Sequence, residues 1–394
     1  MSTKKVARIL SIDGGGIRGI VPASIIAALE AILKTPIMSH FHMVAGTSTG
    51  GILACGLNIK KPLSGQELVE FYQQKGGQIF EAPSAGALTG LAGELYSAEG
   101  LEKVLEGILP GNLSDVKNDL LVTSYDIESR NPFIFKSWQA RAIESLKSEI
   151  PNFDFPIKSV ARATSAAPTY FKPARITNLA GESFALIDGG VYANNPAMCA
   201  YAAATRLYPL ADEYQILSLG TGELKVPFLY DDAVNWGLVG WARPLLDVMF
   251  SGVSETISYE LAQLQPTVSQ CRLQTKLQNG SENMDDVSPA NLKALLEDTK
   301  KTISDNQTLI DDLITRLRKE PLTSRALLGY PGEKVSGVIR KPKVATIPTI
   351  IKNPVGGIVA GAATGGAIGL AVGGPVGAVI GAGLGAFGVK IVPD

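Results

Sequence analysis

Histidine is nearly missing from this chain: His40 and His42 are the two in 394 residues, and none follows position 42. That excludes a histidine-rich metal site. It also denies any downstream serine the general-base histidine that normally comes last in the chain order serine, carboxylate, histidine. Cysteine is scarce as well. Cys55, Cys199 and Cys271 are too dispersed for a disulfide framework and lack metal-ligand spacing, so neither metal nor cofactor is expected. Charge has no excess of one sign, with 36 Lys and Arg against 37 Asp and Glu, and a net of −1 gives no general case for nucleic acid as a partner. Met1-Ser2-Thr3-Lys4-Lys5 leads straight into an apolar segment without a leader pattern. The expectation is no signal peptide and a cytoplasmic protein, peripheral to or anchored at a membrane.

Glycine, by contrast, is abundant and placed with purpose. Ser48 sits in Gly46-Thr47-Ser48-Thr49-Gly50, a G-x-S-x-G. With 42 glycines in the chain that motif alone is weak, but its context fits. Phe41-His42-Met43-Val44-Ala45 reads as a buried strand and Gly51-Ile52-Leu53-Ala54-Cys55 begins a helix. Strand, sharp turn and helix make a nucleophile elbow, with Gly46 and Gly50 permitting the close packing. A plain helix-capping turn is the alternative. If Ser48 is a nucleophile, the missing histidine makes a carboxylate its leading base.

A second glycine-rich turn, Asp13-Gly14-Gly15-Gly16-Ile17-Arg18-Gly19, follows the strand-like Val6–Ile12 and precedes the helical spacing of Ile20–Leu33. Gly14, Gly16 and Gly19 satisfy the dinucleotide pattern G-x-G-x-x-G, yet no acidic residue lies between Glu30 and Glu67 to hold a ribose. The other use of such a loop is an oxyanion hole, with Arg18 adding positive charge at its mouth. A third piece is Ile187-Asp188-Gly189-Gly190, behind the apolar Phe184-Ala185-Leu186. Asp188 alone reads more readily as a turn residue; with Ser48 and no histidine it becomes the best candidate base. Asn194-Asn195-Pro196 then reads as a helix start, with Asn195 at the N-cap.

Five motifs now stand in order: DGGGIRG, GTSTGG, ATSAAPTYF (Ala163–Phe171), IDGGVYANNP (Ile187–Pro196) and LSLGTG (Leu217–Gly222). Together they resemble the patatin-like phospholipases over residues 6–275, with a motif core at 9–201 and weaker continuation through Trp236-Gly237-Leu238 and Pro244-Leu245-Leu246. The resemblance implies an α/β fold, a three-layer sandwich around a central, mainly parallel sheet. It also implies a Ser–Asp dyad that hydrolyses ester bonds of membrane phospholipid or another acyl-ester lipid. Carried over motif by motif, Ser48 is the nucleophile and Asp188 the base. Gly14, Gly15, Gly16 and Arg18 form the oxyanion site, and Gly19, Gly189 and Gly190 complete the signature. The motif positions do not depart from the family pattern, which argues against a degenerate member. Some bacterial members are membrane-damaging effectors or toxins, and that role comes here by analogy alone.

The carboxyl-terminal third has its own pattern. In 289–320 an alternating 4–3 spacing (Leu292, Leu296, Thr299, Ile303, Asn306, Ile310, Leu313, Leu317) gives a heptad seam. It fits a coiled coil with Asn306 fixing register, or a surface helix packed on the catalytic domain. A basic linker, 334–352, carries Lys334, Arg340, Lys341, Lys343 and Lys352 without an anion. Residues 353–389 then hold no charge, and glycine recurs at every fourth position from Gly357 to Gly385. Such a glycine zipper lets apolar helices approach closely. The reading favoured is membrane insertion of this hydrophobic tail, as one helix or as a hairpin broken at Gly373-Gly374-Pro375, with self-association through the ridge. A lipid acyl hydrolase with a membrane-engaging tail is therefore the leading expectation. A pore-forming or membrane-anchored oligomer with auxiliary hydrolysis is the competing class.

Overall fold

The computed structural model describes residues 4–81, 95–142, 153–223, 227–319 and 322–330. The chain divides after Arg340, so the uncharged tail and most of the basic linker belong to a second unit; residues 331–394, with the membrane and self-association roles expected of them, lie outside the described residues.

One sheet organises the rest. Its strands are Val6–Ile12 (β1), Met43–Thr47 (β2), Asp119–Asp126 (β3), Asn131–Lys136 (β4), Ala174–Thr177 (β5), Ser183–Asp188 (β6), Glu213–Leu219 (β7) and Val268–Leu273 (β8). They run in the order β5-β6-β3-β2-β1-β7-β8, with β4 also on β3. β3, β2, β1, β7 and β8 are mutually parallel, while β4, β5 and β6 join antiparallel at one side. The helices are Ile20–Leu33 (α1), Thr49–Gly56 (α2), Gly65–Ile79 (α3), Ala98–Ile108 (α4), Ser137–Ala142 (α5) and Ile157–Thr164 (α6). They continue with Gly190–Ala193 (α7), Ala197–Leu207 (α8), Tyr230–Ala233 (α9), Gly237–Ala262 (α10), Pro289–Asp305 (α11) and Gln307–Lys319 (α12).

The parallel strands are apolar along their length because both faces are covered. Every residue of β1 is buried, and its alternation divides the core: Leu10 and Ile12 enter one cluster, Ala7 and Ile9 the other. β2 divides likewise, Val44 against Met43 and Ala45, and β7 sets Leu217 and Leu219 against Tyr214 and Ile216. α1, α2, α3, α4, α6, α11 and α12 cover the first face, α8 and the end of α10 the second. This is the mixed α/β, helix–sheet–helix layering expected. Among the described residues one segment, Gly16–Leu33, is long and apolar enough to cross a membrane. It is a core helix instead, with Ile20, Val21, Ala23, Ile25 and Ile26 fully enclosed.

The heptad seam resolves within the chain. The helix breaks at Asn306, whose Nδ2 donates to the Thr302 carbonyl at 2.9 Å, a local cap in place of a coiled-coil register contact. Leu292, Thr299, Ile310 and Leu317 are buried as α11 and α12 pack on α1. The other helix start also shifts: α8 begins at Ala197 with Pro196 at the cap, and the Asn195 side chain accepts the Ala197 N–H.

Candidate active site

Parallel strands ending on one edge deliver their following loops to one place, the usual site of chemistry in open α/β sheets. β1 delivers the glycine loop, β2 delivers Ser48, and β7 delivers Gly220-Thr221-Gly222. Ser48 has φ 54° and ψ −125°, a strained conformation for a residue with a side chain. It is held there from several sides. Its N–H donates to Thr164 Oγ1 at 2.8 Å, and that hydroxyl donates to the Thr123 carbonyl at 2.6 Å. Its carbonyl accepts the N–H groups of Gly51 and Ile52. The elbow glycines are steric requirements: a Cβ at Gly46 would strike the Gly50 carbonyl, and one at Gly50 the Ile12 and Asp13 carbonyls.

Register then places the carboxylate. Thr47, just before Ser48, pairs with Thr123, and Ser124 pairs with Asp188 at the end of antiparallel β6. Asp188 is 1% exposed, lines the same pocket as Ser48, and accepts the Gly190 N–H on Oδ1 at 2.7 Å. Burial pushes its pKa up to about 7, with the Ser48 and Gly190 donors opposing the rise. Gly189 must be glycine because a Cβ there would meet Thr123.

The glycine loop departs from expectation in two respects. Gly14 is spoken for, since its N–H donates to the Asn194 carbonyl at 3.1 Å and its carbonyl accepts Thr221 Oγ1 at 2.7 Å. It has no N–H left for an oxyanion. Arg18 is not on the pocket wall; its guanidinium donates to the Gly222 carbonyl at 3.2 Å and approaches the Gly15 carbonyl at 3.5 Å. Burial pushes its pKa down, against the pull of Asp247 and Glu282. Gly15 and Gly16 do line the pocket beside Ser48, and among the described residues nothing accepts their N–H groups. Gly16 has φ +58°, and a Cβ on it would collide with the Met284 carbonyl, whose oxygen already accepts the Ile17 N–H. Behind the loop, Asp13 is paired with Arg272 at 2.6 Å. Gly19 is close to Thr49 and Tyr72, which hydrogen-bond to each other.

These elements line an open pocket that brings together Ser48, Asp188, Gly15 and Gly16. Its walls are mostly apolar, from Ile52, Phe80, Leu101, Phe171, Phe250 and Met284. The Ser165 hydroxyl lies on the wall, buried and without a partner among the described residues. Neither histidine is there. His42 Nδ1 accepts the Arg8 N–H at 2.9 Å and Nε2 meets the Thr323 carbonyl at 2.7 Å, so both nitrogens are used structurally. His40 bonds Thr35. Thr164, Asn194, Thr221 and Arg272 went unassigned in the sequence; three of them lie inside the quoted motifs, which was the signal available.

The geometry is that of a layered α/β protein with a serine on a strand–turn–helix elbow, facing a buried carboxylate across an apolar pocket. A family model, patatin-like phospholipase, matches residues 10–201. Patatin-like protein 3 of Arabidopsis thaliana is 30% identical over 306 residues, 65% of this chain and 70% of that protein. The chain belongs to the patatin-like phospholipase family, which places it among lipid acyl hydrolases. "Probable inactive patatin-like protein 9" of the same plant is 32% identical over 284 residues, 66% of this chain and 72% of that protein. VipD from Legionella pneumophila, of known crystal structure, covers 78% of this chain and 67% of its own at a TM-score of 0.32 and 13% identity, too weak a likeness to argue from.

Proposed function

We propose that this protein is a serine lipid acyl hydrolase of phospholipase A type working through a Ser48–Asp188 dyad. The observation that carries the reading is that Ser48, on its strained elbow, and the buried Asp188 carboxylate line the same apolar pocket. A free aspartate is a poor base for a serine, with a reference pKa of about 3.9. Burial lifts Asp188 to about 7, where it both holds and releases a proton near neutrality. Ser48 Oγ attacks the ester carbonyl as Asp188 takes its proton. The negative charge on the carbonyl oxygen falls to the unused Gly15 and Gly16 N–H groups. Asp188 returns the proton to the departing alcohol, and a water then releases the acyl group from Ser48 by the same exchange. The acyl chain lies along the wall of Phe80, Leu101 and Phe171.

The oxyanion role thus narrows to Gly15 and Gly16, with Arg18 and Asp13–Arg272 positioning the loop. The substrate is an acyl-ester lipid of a membrane, met from the cytoplasmic side, and the tail at 353–389 supplies further membrane affinity. Ser48→Ala and Asp188→Asn in the purified full-length protein test the dyad on phospholipid and on a short-chain ester. Each is expected to lower kcat by about 10³-fold or more with the fold intact by circular dichroism. Near wild-type turnover in either variant sinks the assignment.

A further inference from the structure

We propose that the outer face of α10, with the segment leading into it, is the surface by which this enzyme docks on a lipid bilayer. Of the fourteen large apolar side chains exposed among the described residues, seven fall between positions 228 and 248. They are Phe228, Leu229, Tyr230, Val234, Trp241, Leu245 and Val248, from 38% to 80% exposed. On α10 the spacing 241, 245, 248 puts three of them on one stripe at about 100° per residue, and Tyr259, 68% exposed, continues it. Water-facing residues of a globular helix are ordinarily polar. A large exposed apolar patch marks a partner or a membrane.

The opposite face of the same helix identifies the partner. Phe250 lies about half a turn round from Trp241 and forms part of the pocket wall that Asp188 and Ser48 share. Ser254, further along, is buried and accepts from the Asn194 side chain. α10 is thus one helix thick between the pocket and the exposed stripe, and a lipid resting on the stripe is beside the catalytic end. Composition agrees. Trp236 and Trp241 meet edge-on at 5.0 Å and Phe228 meets Trp236 at 5.3 Å, an aromatic group of the kind that settles at headgroup depth. From Phe228 to Ser254 the sequence carries four charges, Asp231, Asp232, Arg243 and Asp247, and none lies between Asp232 and Arg243. The inference rests on the lipid-hydrolase reading for its substrate, but docking is measured without turnover.

The chain has three tryptophans, Trp138, Trp236 and Trp241; Trp138 is buried in the core, and 353–389 contains none. Intrinsic emission therefore reports the face and not the tail. In full-length protein with Ser48→Ala, which removes lipid hydrolysis from the measurement, phosphatidylcholine vesicles should shift the emission to shorter wavelength, and brominated phosphatidylcholine should quench it. Trp241→Phe should remove much of that response. With Ser48 restored, Leu245→Ser with Val248→Ser should leave the rate on a soluble short-chain ester unchanged and lower the rate on vesicles about tenfold or more. Emission indifferent to vesicles overturns the proposal. So does an equal loss on both substrates, or a concentration-dependent dimer that the double variant abolishes, since the face is then a contact between copies. Absence of ester hydrolysis in the unsubstituted protein would refute the dyad while leaving the fluorescence result to stand for itself.

Discussion

At the scale of single residues, Asp188 is where the proposed mechanism predicts a pH dependence. Its carboxyl releases a proton near 7 when folded, against about 3.9 in an open chain. Acting as base, it must be ionised in the free enzyme. kcat/KM on a soluble ester should then rise about tenfold per pH unit below 7 and level off above it. A flat profile from pH 5 to 8 excludes Asp188 as the titrating base. Stability runs the other way. The folded state binds this proton more tightly, so the contribution is complete below about 4 and is lost as pH climbs through 7. Asp188→Asn removes the buried charge and should raise the thermal midpoint at pH 8 more than at pH 5, while abolishing turnover. His42 behaves as a core residue: burial pushes its pKa down, and both ring nitrogens are engaged by backbone.

At the scale of elements, the site is an interlock of motifs that lie far apart in the chain. The end of α6 ties the elbow through Thr164, β6 and α7 bring Asp188 and Asn194, and the loop after β7 clamps Gly14 through Thr221. Thr164→Val keeps the shape but leaves the Ser48 N–H without its acceptor in a strained conformation. The expected cost is about 1–3 kcal/mol of stability, with kcat falling more than KM rises. Thr164→Ser should recover both; thermal denaturation and steady-state kinetics on a soluble ester read the two effects. If Thr164→Val matches the wild type in both, the elbow does not depend on this bond.

At the scale of the whole molecule, the proposed catalytic residues and the tail proposed to engage a membrane lie far apart in the chain. The dyad, the loop and the α10 face all precede residue 260, whereas the uncharged segment begins at 353. Deleting 353–394 should leave the rate on short-chain esters within about twofold, because no pocket residue is touched, and should lower flotation with liposomes to what the α10 face sustains. Equal flotation of both forms removes the tail from membrane attachment. Dye leakage caused by full-length Ser48→Ala would instead favour the pore-forming reading. Truncation before α11 is a different matter. Leu292, Leu295, Ile310 and Leu317 are buried against the sheet-side core, so that deletion opens the first layer.

The elbow, the glycine loop and the carboxylate after β6 were legible in the sequence because each imposes a local backbone demand that few residues meet. Ser48 needs small neighbours at 46 and 50, Gly16 needs φ above zero, and Gly189 needs the space of a missing Cβ. The absence of a third histidine likewise points to a carboxylate as the base expected for Ser48. What the sequence left open is the choice of hydrogen-bond partners across long separations. Asn194, 180 positions away, takes the Gly14 N–H and leaves the amides of Gly15 and Gly16 unused; Gly222 draws Arg18 off the pocket wall. The heptad spacing of 289–320 is the same for a coiled coil and for a helix pair on α1, because a seam records that it is covered and not by what. Spacing along the chain encodes backbone conformation, whereas burial, partner and charge state arise when distant segments share one low-dielectric interior. That interior, and not any local motif, raises the pKa of Asp188.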